Sequence, residues 1–296
     1  MNIFITGAAG YIGGEVATRL RAAGHAIRGL TRSESKAEAL RRQGIVPVLG
    51  TLDDRELLIA EARAADAVVN AADSDHRGAA EALIAGLAGS GKPLLHTSGS
   101  SILADRAMGE AGARIFDEET PFEPDPGKAA RVAIDRLVLA AAGIRSAVIC
   151  NSLVYGRSRG LHAESIQIPI LVEEARRAGV PRYIGRGANI WSNVHIEDVG
   201  ALYLLALGRA PAGSFFFAEN GEASFKALVE ALSRRLGFGG RTASWPVEEA
   251  IAALGFSRAV FSLASNCRVR ARRARALLDW QPHHGSVLAA IEAGDF

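Results

Sequence analysis

The sequence has few of the features that mark disulfide, zinc or membrane proteins. Its 296 residues include only two cysteines, Cys150 and Cys267, which lie far apart and exclude a disulfide framework or a zinc site of the paired-cysteine kind. The longest apolar stretch, Val199 to Leu207, is too short to span a bilayer. No basic segment typical of a signal peptide precedes Asn2, where the first strand is predicted. We therefore expect a cytoplasmic protein without a metal.

The chain also has almost no excess of charge of either sign. The formal net charge is +2, which gives no electrostatic reason to expect nucleic acid or an anionic membrane as a partner. One arginine-rich run, Arg268 to Arg275, falls in a predicted helix and is interpreted as a solvated face. A small-molecule substrate is the expected partner.

Apolar runs alternate with helical segments through the first half of the chain. The runs that predict strands are 2–6, 25–32, 45–50, 66–72, 93–99 and 145–152. This alternation predicts an α/β fold, a Rossmann-type doubly wound parallel sheet with helices on both faces. We predict that residues 1–152 form the dinucleotide-binding Rossmann region. Residues 153–296 then form mainly a smaller C-terminal substrate-binding lobe, with some segments returning to the sheet.

Glycines dominate the turn between the first strand and the first helix. Gly7, Gly10 and Gly13 follow the pattern G-x-x-G-x-x-G in the stretch TGAAGYIGG. Such glycines permit a tight turn, a close approach of backbone N–H groups to a pyrophosphate, and close packing of helix on strand. We expect these three glycines, with Tyr11 and Ile12 at the start of the helix, to bind a dinucleotide.

The end of the second strand favours NADP over NAD. An NAD site usually places a carboxylate there, whereas this chain has Thr31, Arg32 and Ser33, with Lys36 one turn later. A carboxylate would repel the 2′-phosphate of NADP, and a guanidinium can bind it with two hydrogen bonds. The alternative is that Arg32 is merely a solvated residue at a strand end.

Several motifs occur in an order that resembles the short-chain dehydrogenase/reductase superfamily, in its extended or atypical, NAD-dependent epimerase/dehydratase-like branch. They cover essentially the whole chain: TGAAGYIGG, TLDD, NAAD, TSGSS, SLVYG, NVHIEDVGALY and ARALLDWQP. The resemblance implies that Asp53 approaches the adenine, that Ala71 and Ala72 line the ribose, and that Asn151 lies by the nicotinamide. In this superfamily helices at the place of residues 128–142 often form dimers, so a homodimer is compatible with the resemblance.

The catalytic Tyr-x-x-x-Lys pair of that superfamily is missing. The alignment puts Gly127 at the tyrosine and Arg131 at the lysine, and a shift of one turn would put Lys128 at the lysine. In the superfamily the lysine lowers the pKa of the tyrosine, which then exchanges a proton with the substrate. The family's serine position falls on Gly99.

Four other side chains are catalytic candidates. Ser98 and Ser100 lie at the end of the fifth strand, although they could simply satisfy backbone groups. Tyr155 lies in a loop that the superfamily places near the substrate, and His195 is of a residue type that often transfers protons in enzymes. Packing is the alternative role for Tyr155, and a structural hydrogen bond for His195.

These features predict an NADP-dependent oxidoreductase that acts on a small carbonyl or alcohol substrate with a non-standard proton donor. A catalytically silent NADP(H)-binding regulator or redox sensor is the alternative, because the catalytic pair is absent. A sugar-nucleotide epimerase or dehydratase is a third reading, and the missing phenol weakens it most.

Overall fold

A computed structural model describes all 296 residues of the chain. Its strands are β1 (Asn2–Thr6), β2 (Ala26–Thr31), β3 (Val46–Leu49), β4 (Ala67–Asn70), β5 (Pro93–Gly99), β6 (Arg145–Asn151), β7 (Leu153–Tyr155), β8 (Arg182–Ile184), β9 (Ile190–His195), β10 (Ser214–Ala218), β11 (Glu222–Ser224) and β12 (Ala243–Trp245).

The helices lie between these strands and after them. They are α1 (Tyr11–Ala22), α2 (Glu34–Arg42), α3 (Arg55–Ala64), α4 (Arg77–Leu87), α5 (Ala129–Leu139), α6 (Gln167–Ala178), α7 (Ile196–Arg209), α8 (Phe225–Arg235), α9 (Val247–Leu254), α10 (Arg272–Leu278) and α11 (Val287–Ala293). A 3-10 turn at Ser100–Leu103 follows β5, and a π-helix runs from Ser257 to Leu263.

Seven parallel strands form the central sheet, in the order β10-β6-β5-β4-β1-β2-β3. The predicted Rossmann-type fold is therefore confirmed. Apolar residues fill both faces, because β1 sends Ile3 and Ile5 into one core and Phe4 into the other. Helices α3, α4 and α5 cover the second face, and α1 with α7 lies on the first.

The residues after β6 divide between the central sheet and smaller sheets. β10 joins the edge of the central sheet, β9 lies between β7 and β11, and β8 pairs with β12. β8 and β9 do not pair with each other, and their partners come from distant parts of the chain. Helix α6 accommodates Pro169 because that residue lies in the first turn, where a missing N–H costs little.

A loop of the second half packs closely on the first turn of α1. A Cβ atom at Gly160 would lie 2.6 Å from the Cα of Gly14, so two glycines meet backbone to backbone. Next to them the buried Glu15 carboxylate pairs with the Arg159 guanidinium and accepts the Arg159 backbone N–H at 2.9 Å. The helix that follows the glycine-rich turn is thus fixed from both sides.

The arginine-rich run is partly neutralised within the protein. Arg268 and Arg270 both pair with Glu222, and Arg272 pairs with Asp117. These pairs explain why the run creates no broad basic surface. None of the helices has the length and apolar character needed to cross a membrane.

Candidate functional site

A cleft of about 590 Å³ opens at the carboxyl ends of β1, β2, β3 and β4. It brings together nine of the residues predicted to bind the cofactor: Gly7, Gly10, Thr31, Arg32, Ser33, Lys36, Asp53, Ala71 and Ala72. Its lining also includes Gly50 to Leu52, which were not predicted to bind the cofactor, and His76 from the loop after β4. The carboxyl edge of an open parallel sheet is where ligands bind in such folds.

The glycine-rich turn leaves room that only glycines allow. Gly7 has φ +79°, and a Cβ atom there would lie 2.5 Å from the Ala71 carbonyl oxygen. A Cβ atom at Gly13 would lie 2.2 Å from the Gly7 carbonyl oxygen. Gly10 caps α1 without any side chain, so the first N–H groups of the helix stay open to an anion. This cradle fits the pyrophosphate of a dinucleotide.

Two cations line the cleft at the end of β2 without a carboxylate partner. Arg32 and Lys36 are exposed and form no ion pair. Glu34, the nearest acid along the chain, turns away to Arg41 at 2.9 Å. The Thr31 hydroxyl is buried without a hydrogen-bond partner. The site therefore offers unneutralised positive charge to a ligand.

A histidine and a carboxylate meet at the other end of the cleft. The Nε2 atom of His76 lies 3.1 Å from the Asp53 carboxylate, and the Nδ1 atom accepts the Ala79 N–H at the start of α4. Because Nδ1 accepts, the proton of the neutral ring lies on Nε2 and points at Asp53. The sequence signal for His76 was its place six residues after β4, in the polar loop at the carboxyl edge of the sheet.

The two candidate serines are buried and engaged in hydrogen bonds. The Ser98 hydroxyl donates to the Asp135 carboxylate at 2.7 Å. The Ser100 hydroxyl oxygen accepts from the Cys267 thiol at 3.1 Å. Both serines are at most 3% exposed, so the structure places them below the surface of the sheet edge rather than in the open cleft.

Ser98 is the end of a line of buried polar groups under the cleft. The Thr6 hydroxyl donates to Asn70 at 2.6 Å, and the Asn70 amide nitrogen donates to Nδ1 of His96 at 3.0 Å. The Nε2 atom of His96 lies 3.6 Å from Asp135. Burial lowers the pKa of His96 to about 4 and raises the pKa of Asp135 to about 7. Both groups thus favour their neutral forms.

Arg131 occupies the end of β5 from the first turn of α5. It donates two hydrogen bonds to Asp75, at 2.8 and 2.5 Å, and one to the Ser101 hydroxyl at 3.3 Å. These bonds lower the pKa of the Asp75 carboxyl. A Cβ atom at Gly99 would lie 3.5 Å from the Arg131 guanidinium. Arg131 thus reaches the position where the superfamily has its serine.

Gly127 and Lys128 face an aromatic ring from the π-helix. A Cβ atom at Gly127 would lie 3.2 Å from Cε2 of Phe261, and the Lys128 ammonium lies 4.9 Å from the centre of the same ring. Lys128 is 8% exposed and its ammonium makes no hydrogen bond or ion pair with the protein. Burial, followed by the charge of Arg131, lowers the pKa of Lys128.

Tyr155 and His195 lie together in a separate cleft of about 410 Å³, which shares no lining residue with the first cleft. The Tyr155 hydroxyl donates to the His284 carbonyl at 3.1 Å, and burial raises the pKa of Tyr155. The Nε2 atom of His195 lies 3.0 Å from Asp295. Nδ1 of His195 accepts the Glu197 N–H, which puts the proton of the neutral ring on Nε2 and disfavours a metal there.

Four further predicted cofactor residues lie outside the lining of the first cleft. Ile12 and Gly13 belong to the first turn of α1, next to Tyr11, whose hydroxyl donates to the Gly156 carbonyl at 2.7 Å. Asn151 ends β6, where its amide nitrogen lies 3.4 Å from the Ser98 carbonyl and its amide oxygen is buried without a partner. That free acceptor is compatible with a ligand at the end of β6.

Comparison with known proteins supports the same class of fold. The model of the NAD dependent epimerase/dehydratase family matches residues 3–215. A protein of an Acremonium species named oxidase ucsJ is 33% identical over 322 residues, which cover 95% of this chain and 92% of that protein. A ketoreductase of Stigmatella aurantiaca, named for a farnesylated dihydroquinoline-1-oxide, is 28% identical over 239 residues, or 75% of this chain and 69% of that protein.

A solved structure resembles the fold along nearly the whole chain. The dTDP-glucose 4,6-dehydratase of Bacillus anthracis, crystallised in complex with NAD, superposes with a TM-score of 0.78 at 20% identity. The match covers 99% of this chain and 94% of that one.

Proposed function

The chain belongs to the NAD dependent epimerase/dehydratase family, and from this premise we propose that it is an NADP-dependent oxidoreductase acting on a small carbonyl or alcohol substrate. The observation that carries the choice of cofactor is the pair of free cations, Arg32 and Lys36, in the cleft at the end of β2. The Rossmann region, residues 1–152, would bind the cofactor, and residues 153–296 would contribute mainly the substrate side.

The 2′-phosphate of NADP is the group that these cations suit. A guanidinium binds phosphate with two hydrogen bonds, and an ammonium adds a second charge. The ribose hydroxyl of NAD would leave both cations without a counter-charge. The ribose hydroxyl would also lack the carboxylate that usually accepts a hydrogen bond from it, because Glu34 is paired with Arg41.

The remaining parts of the cleft match the other groups of a dinucleotide. The amides of Tyr11 and Ile12 at the open start of α1 would hold the pyrophosphate, and Asp53 would lie by the adenine. Ala71 and Ala72 would line the ribose. The nicotinamide of the bound cofactor supplies or accepts a hydride, which is the chemistry the protein itself lacks.

Carbonyl reduction is supported by the names of relatives rather than by a catalytic motif. The Stigmatella relative is a ketoreductase and the Acremonium relative an oxidase. We propose the same class of oxidoreductase chemistry for this chain, without proposing the substrates of those relatives.

The cofactor assignment is tested by fluorescence titration with NADPH and NADH. We expect NADPH to bind at least about tenfold more tightly, as the loss of one charge-assisted phosphate contact would predict. Arg32→Asp should abolish or reverse this preference. Arg42→Asp is the matched control, because Arg42 is an exposed arginine at the end of α2, outside the cleft. Equal affinities of the wild-type protein for both cofactors would refute the assignment.

A silent NADP(H)-binding regulator or redox sensor is the second candidate. It is favoured by the residues at the three catalytic positions of the superfamily, which are Gly99, Gly127 and Arg131. Oxidation of NADPH by any member of a panel of aldehydes, ketones and β-oxo esters would favour the enzyme. Tight NADPH binding without turnover, together with a protein partner whose affinity depends on NADPH, would favour the regulator.

A further inference from the structure

Lys128 combines a buried position with an ammonium that no carboxylate neutralises. It is 8% exposed, and the ring of Phe261 covers it at 4.9 Å from the ring centre. The residue as a whole is buried, while its ammonium nitrogen still reaches solvent and makes no hydrogen bond to the protein. The face of an aromatic ring attracts a cation but accepts no proton from it. The N–H groups of Lys128 are therefore free for a ligand.

The helix geometry directs Lys128 and Arg131 to one side. Residues three apart on a helix share a face, and Arg131 on this face reaches Ser101 and the end of β5. Lys128 directly follows Gly127, which aligns with the missing tyrosine. A Cβ atom at Gly127 would lie 3.2 Å from Cε2 of Phe261 and 3.4 Å from an Asp125 carboxylate oxygen, so these two side chains border the position that aligns with the tyrosine.

The charges around Lys128 favour the release of a proton. Arg131 on the same helix repels the ammonium, while Asp75 from the loop after β4 and Asp125 from the loop before α5 attract it. Each of these two carboxylates is hydrogen-bonded to an arginine, Asp75 to Arg131 and Asp125 to Arg106, which weakens its pull on Lys128. Burial and a neighbouring cation both lower the pKa of a lysine, which makes its ammonium a stronger acid.

We propose that Lys128 is the proton donor of this site and delivers a proton from Nζ to the carbonyl oxygen of the substrate. This inference rests on the proposed function, which brings the hydride to the carbonyl carbon. As the carbon receives the hydride, the C=O π electrons move onto the oxygen. An N–H bond of Lys128 breaks while the new O–H bond forms. The neutral amine that remains takes a proton from water.

Kinetics of two variants test the proposal with the panel carbonyl that the wild-type protein reduces. Lys128→Met removes the ammonium, and Lys128→Arg keeps the charge but holds its proton too tightly. We expect kcat to fall about 100-fold or more in both, as for the loss of a general acid. NADPH affinity should stay within about twofold of wild type, as expected for a residue outside the cofactor cleft. Lys226→Met, at an exposed lysine on α8, should leave kcat unchanged.

The pH profile and chemical rescue separate a proton donor from a packing residue. Reduction by the wild-type protein should slow as pH rises through the lowered pKa of Lys128, and Lys128→Met should lack that decline. Ethylamine should restore turnover to Lys128→Ala in proportion to its protonated fraction. If Lys128 had only a structural role, its substitution would leave the pH profile unchanged and ethylamine would not restore turnover.

A measurement without cofactor or substrate tests the ionisation directly. The chain has four lysines, Lys36, Lys92, Lys128 and Lys226, so ¹³Cε labelling gives a short spectrum that Lys→Arg variants assign. We expect Lys128 to titrate below the ordinary value of a lysine side chain, as a buried lysine beside a cation does. Titration of Lys128 at the ordinary value of a lysine side chain would overturn the proposal, as would wild-type turnover by Lys128→Met. Absence of turnover by a wild-type protein that binds NADPH would instead overturn the proposed function.

Discussion

The shifted pKa values of His96 and Asp135 have opposing effects on the pH dependence of stability. In the wild-type protein these effects offset each other over the pH interval that the two groups share. The pKa of Asp135 is about 7 in the folded protein and has an ordinary value of 3.8. Between these values the folded state holds a proton that the unfolded chain has released. The unfolding free energy therefore falls as pH rises, by about 1.4 kcal/mol per pH unit and about 4 kcal/mol in all.

The contribution of His96 has the opposite sign. Its pKa is about 4 in the folded protein, against an ordinary value of 6.5. In that interval the unfolded chain holds the extra proton, so the unfolding free energy rises with pH by about 1.4 kcal/mol per unit and about 3 kcal/mol in all. Over the shared interval the two slopes offset each other.

Single variants separate the two slopes. Urea unfolding followed by circular dichroism at several pH values from about 4.5 to 7.5 measures the free energies. The difference between Asp135→Asn and wild type should rise with pH by about 1.4 kcal/mol per unit up to pH about 7. The difference between His96→Gln and wild type should fall with pH up to about 6.5. His162→Gln, at an exposed histidine, is the matched control. A flat difference for Asp135→Asn would refute the reasoning, because Asp135 would then ionise normally in the folded protein.

Two further substitutions test the cradle and the edge of the sheet. Gly13→Ala should weaken NADPH binding about 100-fold or more, because its Cβ would lie 2.2 Å from the Gly7 oxygen; fluorescence titration checks this, and Gly208→Ala in open space on α7 is the control. Unchanged binding by Gly13→Ala would show that the turn is not the pyrophosphate site. Glu118→Ala should lower the unfolding free energy by about 1–3 kcal/mol, because Glu118 accepts N–H groups from β10 and from the start of α10. Urea unfolding measures the loss, and a Glu118→Gln variant as unstable as Glu118→Ala would contradict this explanation.

The sequence predicted the central sheet well because its signals are local. Each strand from β1 to β6 is a short apolar run bounded by turn residues, and both of its faces are buried. The helices between these strands were also predicted from local signals. β7, β10, β11, β12, α11 and the π-helix were missed, since most of them are short and are stabilised by contacts with residues far along the chain.

The candidate site was predictable where one motif supplies it and unpredictable where several segments meet. The glycine turn and the end of β2 are continuous stretches, and they line the cleft together as expected. The cover that Phe261 places over Gly127 and Lys128 comes from a π-helix more than 120 residues later in the chain. No pattern around residue 127 could reveal that ring.

Tyr155 and His195 show the limit of reading chemistry from residue type. The structure places both at strand ends, Tyr155 in β7 rather than in the predicted loop and His195 in β9, because these two strands pair with each other. It gathers them with His284 and Asp295 around a second cleft. Their hydrogen bonds go to a backbone carbonyl and to Asp295, and the His195 ring also caps α7. Their role in catalysis stays a prediction.

The last glycine of TGAAGYIGG has a different constraint from the three before it. Gly14 faces no ligand cleft; it faces Gly160, and each leaves no space for a side chain on the other. A single substitution at either position is therefore blocked by its partner's backbone, which no rotamer change can relieve. In variation among relatives, these two positions should be fixed as a pair even in proteins that have given up the dinucleotide. The number of glycines in such a motif thus overstates the evidence for a bound nucleotide. One of them, Gly14, is explained by the packing of the second half of the chain on the first.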